Sequence, residues 1–191
     1  ISTQALLSLY ARGMMSGVVV DVGDGVTHVI PVYEGSILSH LTQRLDVAGR
    51  DVTNQLSKLL FLHGYPINLD GEYSLLQQLK ETYCYIAADL TKERKLAKET
   101  TVLMKRHTTP SGRCIKMGDE RFMAPEILFQ PEMYKDTEAK GISDCLFATI
   151  NQADVDLRSE FYRSIVLSGG TTLLDGFGTR ISKDLKRFYK T

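Results

Sequence analysis

The feature that most constrains the fold is an acidic, glycine-rich turn between two apolar segments. Residues 17–21 (Gly-Val-Val-Val-Asp) form an unbroken β-branched run, which is typical of a strand buried on both faces. Residues 21–25 (Asp-Val-Gly-Asp-Gly) predict a turn, and residues 26–33 predict the returning strand. The sequence therefore predicts a pair of antiparallel strands whose turn carries acidic side chains.

The composition of this turn suits a phosphate group and its cation. Gly23 and Gly25 have no side chains, so their backbone amides can approach an anion closely. Asp21 and Asp24 would repel a phosphate directly, and they therefore require a divalent cation or its water shell in between. A tight hairpin that uses Asp and Gly for conformational reasons alone accounts for the same residues equally well.

A second glycine-rich turn follows another apolar segment. Residues 164–167 predict a short strand, and residues 168–172 (Ser-Gly-Gly-Thr-Thr) lie between it and the last helix. A strand that ends in a double glycine before a helix is a common place for backbone to contact a nucleotide, although many strand-to-helix turns share this pattern. Lys80 and Glu81, near the end of an amphipathic helix, are a weaker signal, because such pairs are usually a solvated face.

The remaining pattern predicts a mixed α/β architecture with an inserted smaller lobe. Apolar residues at helical spacing predict helices over 2–13, 49–64, 72–83, 142–150 and 177–188. Further strands are predicted near 37–38 and over 101–106 and 113–117, the last two around a turn at 110–112. The charge-rich segment 91–100 predicts a solvated connection, and the polar segment 129–141 predicts a loop.

Composition excludes several classes of protein. Basic and acidic residues number 23 each, so the chain offers no net positive field to nucleic acid or to an anionic membrane. The apolar runs are too short to span a bilayer. The three widely spaced cysteines predict neither disulfides nor a zinc site and indicate a reducing compartment, and the four histidines show no metal-ligand spacing. Because the chain begins and ends inside helical patterns, we expect it to be part of a longer protein.

Taken in order, these motifs resemble those of the actin family. The segment Asp21-Val-Gly-Asp-Gly-Val-Thr-His28 is similar to that family's second phosphate-binding hairpin. Further motifs follow in the family's order at 33–35, 45–51, 80–81, 120–122, 125–126, 128–131, 154–156 and 167–172. Segments 95–103, 152–156 and 158–162 resemble an actin-related branch more than conventional actin.

The resemblance implies an α/β, actin-like ATPase fold of two large lobes, of which this chain supplies one half. Residues 1–47 and 138–191 would form a ribonuclease-H-like subdomain 3, with the end of a subdomain 1 linking helix at 1–11. Residues 48–137 would form an inserted mixed α/β subdomain 4. The implied cofactor is ATP or ADP with Mg²⁺ or Ca²⁺.

The resemblance also implies roles for individual residues. Gln4 would orient the attacking water, and His28 would lie beside that water. Asp21 would hold the cation through the cation's water shell. The other residues implied to bind the cofactor are Gly23, Asp24, Gly25, Val26, Gly49, Asp51, Lys80, Glu81, Ser168, Gly169, Gly170, Thr171, Thr172 and Leu173.

The implied function is that of an actin-related, ATP-binding subunit of a cytoplasmic complex that nucleates branched actin filaments by mimicking a filament end. The implied partners are a second actin-related subunit, the other subunits of the complex, actin filaments and nucleation-promoting factors. Hydrolysis would be slow and regulatory, and this half alone is not expected to be active. Conventional actin or a divergent polymerising ATPase is an alternative, against which the charged loop 131–141 argues, because unpaired charges are costly to bury. A sugar kinase or Hsp70-type ATPase is a less favoured alternative.

Overall fold

The computed structural model describes residues 3–67, 69–109, 112–134 and 139–190. The strands are β1 Gly17–Val22, β2 Thr27–Tyr33, β3 Ser36–Ile37, β4 Gln43–Leu45, β5 Lys105–Thr108, β6 Cys114–Met117 and β7 Ile165–Ser168. The helices are α1 Gln4–Tyr10, α2 Gly49–Leu62, α3 Leu69–Tyr83, α4 Leu90–Glu99, α5 Glu120–Met123, α6 Ile142–Gln152, α7 Val155–Arg163 and α8 Phe177–Lys190.

A five-stranded mixed sheet organises the chain. Its order is β3-β2-β1-β7, and β4 also pairs with β2. Strands β1 and β2 are antiparallel, as the apolar runs predicted, whereas β1 and β7 are parallel. This register places Asp21 directly between His28 on β2 and Ser168 on β7, so the three residues form one row across the sheet.

Both faces of strand β1 are buried, which explains its continuous apolar sequence. Val18, Val20 and Val22 belong to the main core, together with residues of α2, α3, α6 and α8. Val19 faces the opposite side, where it clusters with Ala5 and Leu9 of α1. Because side chains alternate along a strand, Asp21 lies on the same side as Val19, towards α1.

The segment 91–100, predicted as a solvated connection, has no buried residue in α4, but the helix itself was not predicted. The Asp89 carboxylate accepts a hydrogen bond from the Lys92 backbone amide at 3.3 Å and so caps the helix. None of the helix residues is buried, and an ion pair links Lys95 to Glu99 at 3.8 Å. Strong helix formers with a good cap make a helix here without an apolar face.

Other differences from the predicted elements are local. The strand predicted from residue 101 begins only at Lys105, and β4, α5 and α7 were not predicted. The segment predicted as a loop after Phe129 contains a 3-10 turn, Pro131–Met133. Residues 110–111 of the predicted hairpin turn, and residues 135–138 of the charged loop, lie outside the described residues.

Residues 84–88, between α3 and α4, contact the segment just before α8. The Ile86 amide donates to the Asp175 carbonyl at 2.7 Å. Gly176 has a φ of +85°, and a Cβ there would lie 2.3 Å from the Ile86 carbonyl oxygen, so only glycine fits this approach. In the described part of the chain, no helix is long and apolar enough to cross a membrane.

Candidate functional site

Two clefts open on either side of the turn between β1 and β2. The first cleft, of about 570 Å³, lies between this turn, the end of α3 and the glycine-rich turn after β7. The second cleft, of about 580 Å³, lies between the same two turns and the start of α1. Gly23 and Gly170 line both clefts, so the two turns form the partition between them.

The first cleft combines polar and apolar groups. It is lined by Gly23, Asp24, Gln77, Lys80, Glu81, Gly170, Thr171, Leu173 and Leu174. Leu173 is 83% exposed, whereas Leu174 is buried. Leu173 therefore offers an apolar surface to a ligand, and Leu174 holds the adjacent backbone in place. A flat apolar ring and hydroxyl groups can both be accommodated in such a cleft.

Lys80 is the buried cation of the first cleft. Its ammonium donates to the Gly49 carbonyl at 3.2 Å, which holds the end of α3 against the start of α2. Burial lowers the pKa of Lys80, while the nearby carboxylates of Asp24 and Glu81 act in the opposite direction. Glu81 is exposed and accepts a hydrogen bond from Gln77 at 3.1 Å.

The second cleft contains the two residues predicted to act on water. Gln4 and His28 both line it, together with Asp21 and Val26. The Gln4 side-chain amide lies 3.4 Å from an Asp21 carboxylate oxygen, and His28 stands beside Asp21 in the β1–β2 register. An amide, a carboxylate and an imidazole that converge in this way can orient a water molecule and hold a hydrated cation.

The turn between β1 and β2 is anchored from two directions. The Gly23 carbonyl accepts hydrogen bonds from the Gly49 amide at 3.1 Å and from the Thr171 hydroxyl at 2.8 Å. The Asp24 carbonyl accepts from the Arg50 amide at 2.7 Å, and the Arg50 guanidinium also pairs with the Asp24 carboxylate at 3.0 Å. The turn is therefore fixed to the first residues of α2 and to the turn after β7.

Two glycines of these turns have no intramolecular reason to be glycine. A Cβ on Gly25 or on Gly170 would meet nothing within 4 Å, and neither residue has a left-handed φ. By contrast, a Cβ on Gly49 would lie 2.5 Å from the Thr171 hydroxyl, and Gly169 has a φ of +90°. The open space at Gly25 and Gly170 fits a group from outside the chain that approaches the backbone, such as a phosphate.

Some of the predicted site residues serve other contacts in this structure. The Asp51 carboxylate accepts from the Ala48 amide at 3.1 Å and caps α2. The Thr172 hydroxyl donates to the Gly169 carbonyl, and the Ser168 hydroxyl accepts from Ser8. Five of the predicted residues line neither cleft, namely Gly25, Gly49, Asp51, Ser168 and Thr172, whereas Gly169 lines the second.

Sequence reasoning missed several contributors to the site, of which Gln77 and Arg50 make specific polar contacts. Gln77 lines the first cleft, and its spacing of four residues from Glu81 on the same helix could have indicated this. Arg50 pairs with Asp24, although the two residues are far apart in the sequence. Its position next to Gly49 was the only available signal.

Comparison with known proteins gives consistent results. The family model described as Actin matches residues 1–191. A protein named actin-related protein 2 from Acanthamoeba castellanii is 52% identical over 189 residues, which are 99% of this chain and 48% of the relative. Its namesake from Caenorhabditis briggsae is 54% identical over 185 residues, which are 97% and 47% of the two chains. The Saccharomyces cerevisiae namesake is 52% identical over 189 residues, 99% and 48% of the two chains. The chain spans about half the length of these curated relatives.

Proposed function

Since this chain belongs to the actin family, we propose that it is the part of an actin-related subunit that binds one side of ATP and its cation. The expected family and the expected α/β, actin-like fold class are confirmed. The observation that carries the proposal is the pair of clefts that share Gly23 and Gly170, because a nucleotide needs room for a base and for a phosphate chain around one backbone cradle.

We assign the two clefts to the two ends of the nucleotide. Lys80, Glu81 and Leu173 in the first cleft suit the base and ribose. Gly25 and Gly170 suit the phosphates, because their backbone is open to an approaching anion. Asp21, in the second cleft, would take the water shell of Mg²⁺ or Ca²⁺, since a carboxylate and water are the ligands that these cations prefer.

When bound, ATP supplies the terminal phosphoryl group whose transfer to water is the reaction. The Gln4 amide can accept and donate hydrogen bonds, so it can hold a water molecule in the second cleft beside Asp21. His28 stands in the same row and can exchange a proton with that water. The proposed reaction is slow and regulatory, and it requires the other half of the protein.

The proposed assembly rests on the resemblance to actin-related protein 2. We assign residues 1–47 and 138–191 to subdomain 3 and residues 48–137 to subdomain 4 of an actin-related protein 2. Its partners would be actin-related protein 3, the other subunits of the branching complex, actin filaments and nucleation-promoting factors. Its place would be the cytoplasmic actin cytoskeleton.

Two glycine substitutions test the nucleotide site. Gly25→Ala and Gly170→Ala in the full-length protein should each weaken binding of a fluorescent ATP analogue by about tenfold or more, since the loss of one charge-assisted hydrogen bond has this size. Both variants should fold normally, because the added Cβ meets nothing within the chain. Gly71→Ala, an exposed position where a Cβ also meets nothing, is the matched control. Wild-type affinity in both Gly25→Ala and Gly170→Ala would refute the assigned site.

Purification of the tagged full-length protein tests the assembly. A fixed set of other subunits, including actin-related protein 3, is the expected result. Long filaments of the protein alone would support conventional actin instead. A protein without partners that phosphorylates a small substrate would support a kinase.

A further inference from the structure

We propose that His63, Asp119 and Glu120 form a site for a transition-metal ion of the Zn²⁺ class, separate from the clefts described above. One potential ligand atom from each residue lies within 4.8 Å of the other two. His63 directly follows the last residue of α2, and the two acidic residues lie where β6 turns into α5. None of these residues lines either cleft.

Glu120 is the fixed member of the group. Its residue is only 3% exposed, and one carboxylate oxygen accepts a hydrogen bond from the Gly118 amide at 2.6 Å. The other oxygen lies 2.9 Å from Nδ1 of His63. Among the described residues, no Lys or Arg nitrogen lies within ion-pair distance of Glu120. A buried carboxylate is costly unless a positive charge faces it, and a metal ion would supply that charge.

The His63 ring is the adaptable member. Its Nδ1 lies 3.0 Å from the Leu59 carbonyl oxygen as well as 2.9 Å from Glu120, and both contacts require a proton on that nitrogen. A metal ion on Nδ1 would replace this proton and would provide the positive charge next to Glu120. Since the His63 side chain is half exposed, the ion can reach it from solvent.

The donor set indicates which ions fit. One imidazole nitrogen and two carboxylates suit Zn²⁺ and its neighbours better than Mg²⁺ or Ca²⁺, which prefer oxygen ligands alone. Ligand atoms of a tetrahedral zinc site lie about 3.4 Å apart, given metal–ligand distances of about 2.1 Å. His63 and Asp119 are both exposed, so they can move by the ~1 Å that closing the group around an ion requires.

Metal titration of the full-length protein tests this proposal. The protein is stripped with a chelator and kept in excess Mg²⁺ without added nucleotide, so that sites that prefer oxygen ligands are filled. Zn²⁺ is then titrated by calorimetry, and Co²⁺ by its visible absorption, which reports nitrogen and oxygen ligands. We expect saturable binding of one ion, together with a higher melting temperature.

Two variants locate the site. His63→Ala and Asp119→Asn should each weaken Zn²⁺ binding by at least about tenfold and abolish the thermal shift. Asp119→Asn keeps the size of an exposed side chain, so its result stands even if His63→Ala is poorly folded. His40→Ala, another exposed histidine, is the control and should bind as wild type does. Absence of saturable Zn²⁺ binding in the wild type, or unchanged binding in folded Asp119→Asn, would overturn the proposal.

Discussion

Replacing Arg180 with alanine should destabilise the protein more than the loss of any exposed ion pair would. Arg180 lies on α8 with 5% of its surface exposed. Its guanidinium donates to both carboxylate oxygens of Glu126, at 2.9 and 2.7 Å, to Asp184 at 2.9 Å and to the Ala87 carbonyl at 2.8 Å. Glu126 and Asp184 are themselves buried, so the cation is their main compensation.

The expected loss follows from the charges left behind. Removing one partner of a buried ion pair typically costs about 3–5 kcal/mol, because the remaining charge stays desolvated. Arg44→Ala, which breaks an exposed pair with Asp46, should cost less than about 1 kcal/mol. Urea denaturation of the full-length variants measures both free energies. The double variant Arg180→Ala, Glu126→Gln should be more stable than Arg180→Ala alone, since it removes one stranded charge.

The defect should also depend on pH. Burial raises the pKa of Glu126, and Arg180 opposes this shift. Without Arg180, the folded-state pKa of Glu126 rises further above its unfolded value, so the folded protein binds this proton more tightly. Stability from proton binding is present below the unfolded pKa and is lost as the pH rises through the folded pKa. The deficit of Arg180→Ala should therefore be smaller near pH 5 than near pH 7.5. A deficit below about 1 kcal/mol at neutral pH would refute the reasoning.

Two further predictions concern the second cleft and the α4 cap. Gln4→Ala should slow single-turnover ATP hydrolysis by about tenfold or more with nearly unchanged ATP affinity, because a water-orienting amide acts mainly in the transition state. Ser8→Ala is the control. An unchanged hydrolysis rate in Gln4→Ala would mean that Gln4 only contacts Asp21 and does not act on the water. The Lys183 ammonium and the Lys92 amide hold the pKa of Asp89 below its ordinary value. The stability that Asp89 contributes is therefore fully present at a pH above its ordinary pKa, and it is lost as the pH falls through the lowered pKa of the folded state. Lys183→Ala should raise the Asp89 pKa in an NMR titration, whereas Lys95→Ala, on the same helix as the cap, should not.

The central strands could be predicted because an uninterrupted run of apolar residues indicates a buried strand. A β-branched run such as 17–21 has few alternatives to a strand that is covered on both faces. Helix α4 could not be predicted in this way, since it buries nothing and forms through its cap and helix-forming residues. Apolar residues recur at helical spacing where one face of a helix packs against a core, and the sequence of an exposed helix lacks this pattern.

In the candidate site, too, local motifs could be predicted, whereas contacts between distant segments could not. Gly23, Asp24 and Gly170 belong to short motifs, so the sequence alone indicated their part in the clefts. The pairing of Arg50 with Asp24 depends on how two distant segments fold together. The same is true of His63 and Glu120, whose contact spans α2 and α5 and left no trace in the spacing of the histidines.

Because the start of α2 is attached to the turn between β1 and β2, a small rotation there displaces the far end of the helix by a larger distance. Its first two residues are bonded to Gly23 and Asp24, and its 14 residues extend for about 21 Å. A tilt of only about 3° at the anchored end therefore displaces the far end by ~1 Å. His63 directly follows the far end, so a small movement at the turn is amplified at this histidine.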